Sequence, residues 1–300
     1  MGGILLAAGL VGAGGIRAAT LTLTASADAS LMQVAPTNSN GGQTFFTAGT
    51  TQNGPLTRGL VRFDLSALPT NAQITAASVV LTVVHVPAEP GATAPFSLHR
   101  MLKNWGEGTN VGVQNVGQGI PAQLGDATWT YANFNTNSWA AAGGKPGTDF
   151  FDFGSASQVV YDTVPTAYTF GPTTELAGDV ELWLQNPALN FGWMLICDEE
   201  ATIFTARRWG SRENVTPDYR PQLVLEYLIP PVITRAEMSG ANLLIGFQAS
   251  AGQSYAIEYR DVLTNAWQPL VNLGAFTSNT PVLFTEPAAQ PQRFYRLRAF

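Results

Sequence analysis

The sequence predicts an all-β protein: a sandwich with one covering helix, followed after a proline pair by a second, smaller sandwich. Three observations predict it. Apolar and polar residues alternate with period two from residue 20 onward, the mark of half-buried strands. Only 12% of the residues are charged, whereas there are 30 Gly and 19 Pro, a composition that favours strands and turns over helices. The 300 residues also reach the length at which one core usually gives way to two domains.

The elements follow in chain order. Residues 4–12 (ILLAAGLVG) are apolar but far short of the roughly 20 residues that span a bilayer, so 1–19 reads as a signal peptide and no stable membrane span is expected. No basic residue precedes that stretch and Arg17 lies near the cut, so a cut after Ala27 stays open as well. The first strand is expected at 20–25. Val61, Phe63 and Leu65 then oppose Arg62 and Asp64, and Val79, Leu81 and Val83 oppose Val80, Thr82 and Val84. Further strands are expected at 96–102, 193–197, 202–209 and 222–228. The Gly-, Asn- and Thr-rich stretch 107–158 has weak periodicity and reads as an excursion packed over one end of the sandwich.

In 173–185, Leu176, Val180, Trp183 and Leu184 recur at helical spacing and Asn186-Pro187 ends the run, which predicts one short amphipathic helix. Ile229-Pro230-Pro231-Val232 is the junction between a domain at 20–228 and a second at 233–300. In the latter, Leu243/Ile245/Phe247, Tyr255/Ile257/Tyr259, Val282/Phe284 and Phe294 to Ala299 have the size and rhythm of a small fibronectin-III-like sandwich.

A set of ordered landmarks carries a resemblance. Arg58-Gly59-Leu60-Val61-Arg62-Phe63-Asp64-Leu65-Ser66-Ala67-Leu68-Pro69 is followed by Ile74 to Leu81, Trp105-Gly106-Glu107-Gly108, Ala127-Thr128-Trp129, Trp139 before Gly143-Gly144, and Gly192-Trp193. The series closes with Ser211-Arg212-Glu213 and Arg220-Pro221-Gln222-Leu223-Val224-Leu225-Glu226-Tyr227. Over about 21–228 the chain resembles the DNRLRE family. The resemblance implies a jelly-roll β-sandwich of extracellular proteins, some of which bind acidic polysaccharides such as alginate. The C-terminal part, with Ser254 to Tyr259, Trp267 and Arg293 to Arg298, is similar to a small terminal module of secreted bacterial surface proteins, which implies a spacer or attachment role.

Charge and cysteine content narrow the chemistry. With a net charge of −6 and fifteen basic residues, the chain cannot present the broad basic face that nucleic acid requires. The single cysteine, Cys197, excludes an internal disulfide or a cysteine-based zinc cluster, and its apolar surroundings read as those of a buried thiol. The two histidines, His85 and His99, read as structural or surface residues, and no nucleophile elbow or His-Glu-x-x-His helix occurs. Asp198-Glu199-Glu200 reads as a solvated hairpin turn. The expectation is therefore a secreted, non-catalytic protein, extracellular or at the cell surface.

Binding of an anionic sugar is the leading expectation. Arg58, Leu60 and Arg62 share the face opposite Val61 and Phe63, so both guanidinium groups should project from the outer surface of the sheet; if Trp209 faces the core, Arg208 and Arg212 point outward too. Guanidinium forks donate paired hydrogen bonds to uronate carboxylates and sulfates, and Trp105, Trp129 and Trp139 are candidates to stack on sugar rings. The bland alternatives are an Arg212–Glu213 ion pair and tryptophans in the core. Structural calcium is a further candidate, with Asp28 and the loop Asn38-Ser39-Asn40-Gly41-Gly42, Asn40 above all, supplying oxygens, against an ordinary Asx turn in that loop. The partner is then an extracellular polysaccharide or cell-surface component. The rival is a structural or adhesion protein that self-associates through edge strands; a polysaccharide-degrading enzyme comes third.

Overall fold

A computed structural model describes residues 5–8, 19–87, 91–112, 117–287 and 292–300. Of the described residues, 48% are strand and 7% helical, an all-β sandwich fold with one short α-helix among them. The chain divides into two compact units, Thr20–Thr70 with Ile74–Glu226, and Tyr227–Phe300 with Asn71–Gln73 and the N-terminal residues. Among the described residues no helix is long and apolar enough to cross a membrane.

The first unit contains β1 (Ala19–Met32), β2 (Phe45–Thr50), β3 (Leu56–Phe63), β4 (Gln73–His85), β5 (Ala94–Arg100), β6 (Ala156–Val160), β7 (Thr166–Phe170), α1 (Thr174–Gln185), β8 (Trp193–Cys197), β9 (Arg207–Gly210) and β10 (Gln222–Leu228). They hydrogen-bond in the order β6-β5-β8-β3-β1-β10-β4-β9-β2, with β7 beside β4. β2 also bonds to β3 through Gly49 and Thr50, so the path turns back on itself and encloses a core. Period-two alternation explains what fills it. Val61, Phe63, Val79, Leu81 and Val83 are all buried, and Trp209 and Trp193 meet Phe96 and Phe63 edge to face at 5.6 and 6.1 Å.

Helix α1 begins at the cap Thr173, whose hydroxyl accepts the Leu176 N–H, and ends at Asn186 before Pro187. It buries Leu176, Val180 and Trp183, and the Trp183 ring lies 4.5 Å from that of Trp193. The strand expected at 202–209 begins only at Arg207. Residues 198–204 form an extended turn in which Phe204 has φ 64°, and Thr205 turns its hydroxyl back to the Thr202 carbonyl.

The excursion covers a face of the sandwich rather than one end. Met101, Trp105, Ala127, Trp129, Ala132, Trp139 and Phe150 build a second apolar layer on the outer side of β1, β3 and β8, in which the aromatic rings pack on Ala27, Ala29, Leu31, Leu60 and Met194. Leu60 is thus as buried as Val61 on the opposite face. A close approach holds the layer down. Gly143, at φ 84°, lies where a β-carbon would come within 2.6 Å of the Trp129 ring, so only glycine fits there.

The second unit contains β11 (Ile233–Ser239), β12 (Asn242–Ala249), β13 (Ser254–Arg260), β14 (Gln268–Ala275), β15 (Thr280–Pro287) and β16 (Phe294–Ala299). β11-β12-β15 form one sheet, and β16-β13-β14 form another together with Leu5–Ala8, which lies parallel to β16. Residues 1–4 and 9–18 of the expected signal peptide fall outside the described residues. Leu243, Ile245, Phe247, Tyr255, Ile257, Tyr295 and Leu297 make the core between the two sheets, on the alternation expected of them.

Candidate functional site

The second layer changes the surroundings of the β3 arginines. Arg58 does not project into solvent; its Nε and Nη2 donate to the two Glu200 carboxylate oxygens at 2.7 and 2.8 Å, and Nη1 donates to the Gly143 carbonyl at 2.9 Å. The guanidinium also lies over the Trp129 and Phe150 rings. Glu200, expected in a solvated turn, is therefore the anchor of an internal ion pair. Arg62 stacks 5.1 Å from the Trp105 ring and donates to Asn104 Oδ1. Trp105 is 2% exposed and gives its indole N–H to the Phe191 carbonyl, and Trp129 and Trp139 are buried as well. These three rings are core residues, as the bland reading held, because the layer they build needs large apolar side chains to cover the sheet.

Arg212 is also occupied. Its Nε and Nη2 donate to Glu107 at 2.6 and 2.7 Å, Nε meets Glu213 Oε1 at 2.9 Å, and its backbone N–H donates to Asp28 Oδ2. Asp28, Glu107 and Glu213 place carboxylate oxygens within 4.8 Å of one another around this guanidinium. They are the oxygens a cation would find here, and Arg212 already supplies positive charge among them. Asn40 does not join them: its side-chain amide pairs at both ends with Ser30 of β1.

Burial pushes the Asp28 carboxyl well above the ordinary carboxylate range, and the negative charges of Glu213 and Glu107 push the same way; the Arg212 N–H opposes them. The fold therefore holds this proton more tightly than the unfolded chain. Stability gained from Asp28 is complete below the ordinary value near 4 and is lost as pH rises through the raised folded value. Asp28→Asn keeps the group neutral at every pH and so removes the cost of charging a buried carboxyl beside Glu213 and Glu107. The variant is expected to be more stable than the parent by roughly 1 kcal/mol at pH 7. That advantage should shrink toward pH 4, as read by urea unfolding at both values.

Arg208 stands apart. β9 lies between β2 and β4, with Arg208 directly across from Thr47 on one side and His85 on the other. Trp209 is fully buried on the opposite face, so Arg208 turns outward as the alternation requires. The three side chains line a cleft of about 180 Å³ together with Thr51, Gln52 and Thr57. Arg208 is half-buried, lies 4.6 Å from the Phe45 ring, and has no carboxylate or carbonyl partner among the described residues. Burial lowers its pKa. The Thr47 hydroxyl is buried without a hydrogen-bond partner. Burial, and then the Arg208 charge, hold the His85 pKa below the ordinary imidazole value. Arg207 also borders the cleft, but its guanidinium is taken up by backbone carbonyls; Arg208, the Thr47 hydroxyl and the His85 ring are each of a kind that can donate a hydrogen bond to an anion.

Sequence reasoning placed Arg208 outward but missed Thr47 and His85 as its neighbours. Their convergence depends on strand order, which joins residues far apart in the chain. It also missed Glu107 as the partner of Arg212. No protein-family model matches the chain, and no curated protein sequence matches it significantly.

Proposed function

We propose that this chain is a secreted, non-catalytic module that binds an extracellular acidic polysaccharide, with the Arg208 cleft receiving a carboxylate or sulfate. The observation that carries the reading is the half-buried guanidinium of Arg208 with no counter-ion among the described residues. A charge withdrawn from water costs free energy unless it is paired, and an incoming anion supplies the pair. The described lining of the cleft contains no Asp or Glu, so it offers no carboxylate pair for glycoside hydrolysis and favours binding over cleavage. The family resemblance points the same way, toward uronate polymers. In this reading the second unit is a spacer or tether.

Retention of the full chain on immobilised alginate, polygalacturonate and chondroitin sulfate tests the proposal. Binding is expected to at least one polymer and to weaken as NaCl is raised, because the contact is partly exposed and screened. Failure on all three would abandon the acidic ligand. The affinity is also expected to rise as pH falls from 7.5 to 5. Burial and then the Arg208 charge lower the His85 pKa; a bound anion offsets the second of these, so binding favours proton uptake by His85 as pH falls while uronates stay ionised. His85→Gln should flatten this dependence; an unchanged pH profile in that variant would remove His85 from the site.

A further inference from the structure

We infer that the first unit has a second saccharide site, separate from the Arg208 cleft and suited to a neutral pyranose ring, between α1 and the segment Phe151 to Ser155. The inference does not rest on the acidic-polysaccharide reading. A pocket of about 260 Å³ opens there, below the roughly 300–1,000 Å³ of drug-sized ligand sites and on the scale of a single sugar unit.

Its rim is aromatic and its floor polar. Phe151 and Phe153 stand 43% and 74% exposed, with ring centroids 6.0 Å apart and planes inclined by 57°. Phe153 contrasts with the tryptophans of the excursion, all of which are buried. Opposite the rings, α1 presents Glu175 and Gly178, and a β-carbon at Gly178 would meet no atom within 4 Å, so the absence of a side chain there leaves the mouth open.

The floor is an ion pair held rigidly from beneath. Arg100 Nε meets Asp179 Oδ1 at 2.8 Å, and Asp179 Oδ2 accepts from Ser155 Oγ at 2.5 Å and Trp193 Nε1 at 2.8 Å. The Arg100 guanidinium lies 5.1 Å from the Phe151 ring. Asp179 is thus fixed by three partners and cannot swing out, while Glu175 above it is exposed. Aliphatic C–H faces of a pyranose match an aromatic rim, and its hydroxyls match fixed acceptors and donors on the floor. Charge decides between sugar classes. Glu175 and Asp179 against Arg100 leave one negative charge in excess, which disfavours a uronate and admits a neutral sugar.

Titration calorimetry of the full chain with cellohexaose, laminarihexaose, mannohexaose and xylohexaose tests the site. At least one hexaose is expected to bind; Phe153→Ala should weaken it at least tenfold and Glu175→Gln severalfold, whereas Arg208→Ala should leave it unchanged. Phe153 is mostly exposed, so its variant should melt with the parent, and that comparison separates loss of the site from loss of the fold. Absence of binding to all four hexaoses, or equal affinity of Phe153→Ala and parent, overturns the inference. Loss of hexaose binding in Arg208→Ala would assign these sugars to the Arg208 cleft instead, and would overturn it too.

Discussion

Arg208→Ala is expected to weaken binding to the preferred acidic polysaccharide about thirtyfold while moving the melting temperature by no more than a degree or two. The two halves of that expectation come from one fact: the guanidinium makes no hydrogen bond or ion pair among the described residues. Its contribution to the fold is limited to the stacking on Phe45, worth about 0.5–1 kcal/mol, and the packing of its stem, and the cost of half-burying an unpaired charge offsets much of both. To an anion it donates charge-assisted hydrogen bonds worth about 1.5–3 kcal/mol, and thirtyfold corresponds to about 2 kcal/mol. Arg208→Lys keeps the charge without the planar fork and should lie between the two. Arg58→Ala should behave oppositely. It leaves Glu200 and the Gly143 carbonyl without a donor, so stability falls, and any loss of binding should track the loss of folded protein. If Arg208→Ala binds as tightly as the parent, the cleft is not the acidic site.

How much of this was legible before the fold was known differs from residue to residue. The alternation of Val61 and Phe63, or Val79, Leu81 and Val83, places those side chains in the core because the period of a strand is two and needs no tertiary information. The helix at 174–185 follows in the same local way from Leu176, Val180 and Trp183. The same rule led to the opposite outcome at Arg58 and Arg62. It assigned them correctly to the face away from Val61, but that face carries a second layer. Alternation reports which residues share a side, and it says nothing of what covers that side. Leu60 between the two arginines was the available hint, an apolar residue on a face expected to be wet.

The charged residues show the same limit more sharply. Arg212 was weighed against its neighbour Glu213, yet its better-aligned partner is Glu107, more than a hundred residues away in the chain. Glu200 looked solvated because its neighbours in sequence are polar; its partner Arg58 reaches it across the fold. The oxygens of Asp28 do meet other carboxylates, those of Glu107 and Glu213, whereas Asn40 turns to Ser30. Pairings of this kind depend on strand order, which hydrophobic periodicity leaves undetermined. The alternation gives Arg208 the correct orientation, but its lack of a hydrogen-bonding partner among the described residues depends on the pairing of groups far apart in the chain.

Arg207, one residue earlier, carries the largest expected loss of stability. It faces inward with Trp209, is 1% exposed, and spreads its guanidinium over backbone carbonyls alone: Tyr161 at 3.2 Å from Nε, Phe204 and Ala206 at 3.0 and 3.2 Å from Nη1, and Ala92 at 2.7 Å from Nη2. Burial lowers its pKa, and the nearby charge of Asp162 partly offsets that effect. A single side chain thus ties together three loops, around residues 92, 161 and 204. Replacing a buried ion pair with apolar groups is often harmless because both partners leave together. Here the partners are peptide carbonyls that no substitution removes. Arg207→Met would keep much of the volume yet strip the guanidinium donors from all four. With each buried polar group left unmatched costing about 1–3 kcal/mol and some recovered by water, a loss of about 3–5 kcal/mol is expected. For a unit of this size that is a fall of roughly 10 °C in melting temperature. Arg207→Lys, with one nitrogen in place of three, should recover only part of it. Because β9 carries Arg207 and Arg208 on opposite faces, the pair separates the two roles: the Arg207 variants should lose the fold and the Arg208 variants the ligand. A melting temperature within 2 °C of the parent for Arg207→Met would show that the carbonyl cage is satisfied without the arginine.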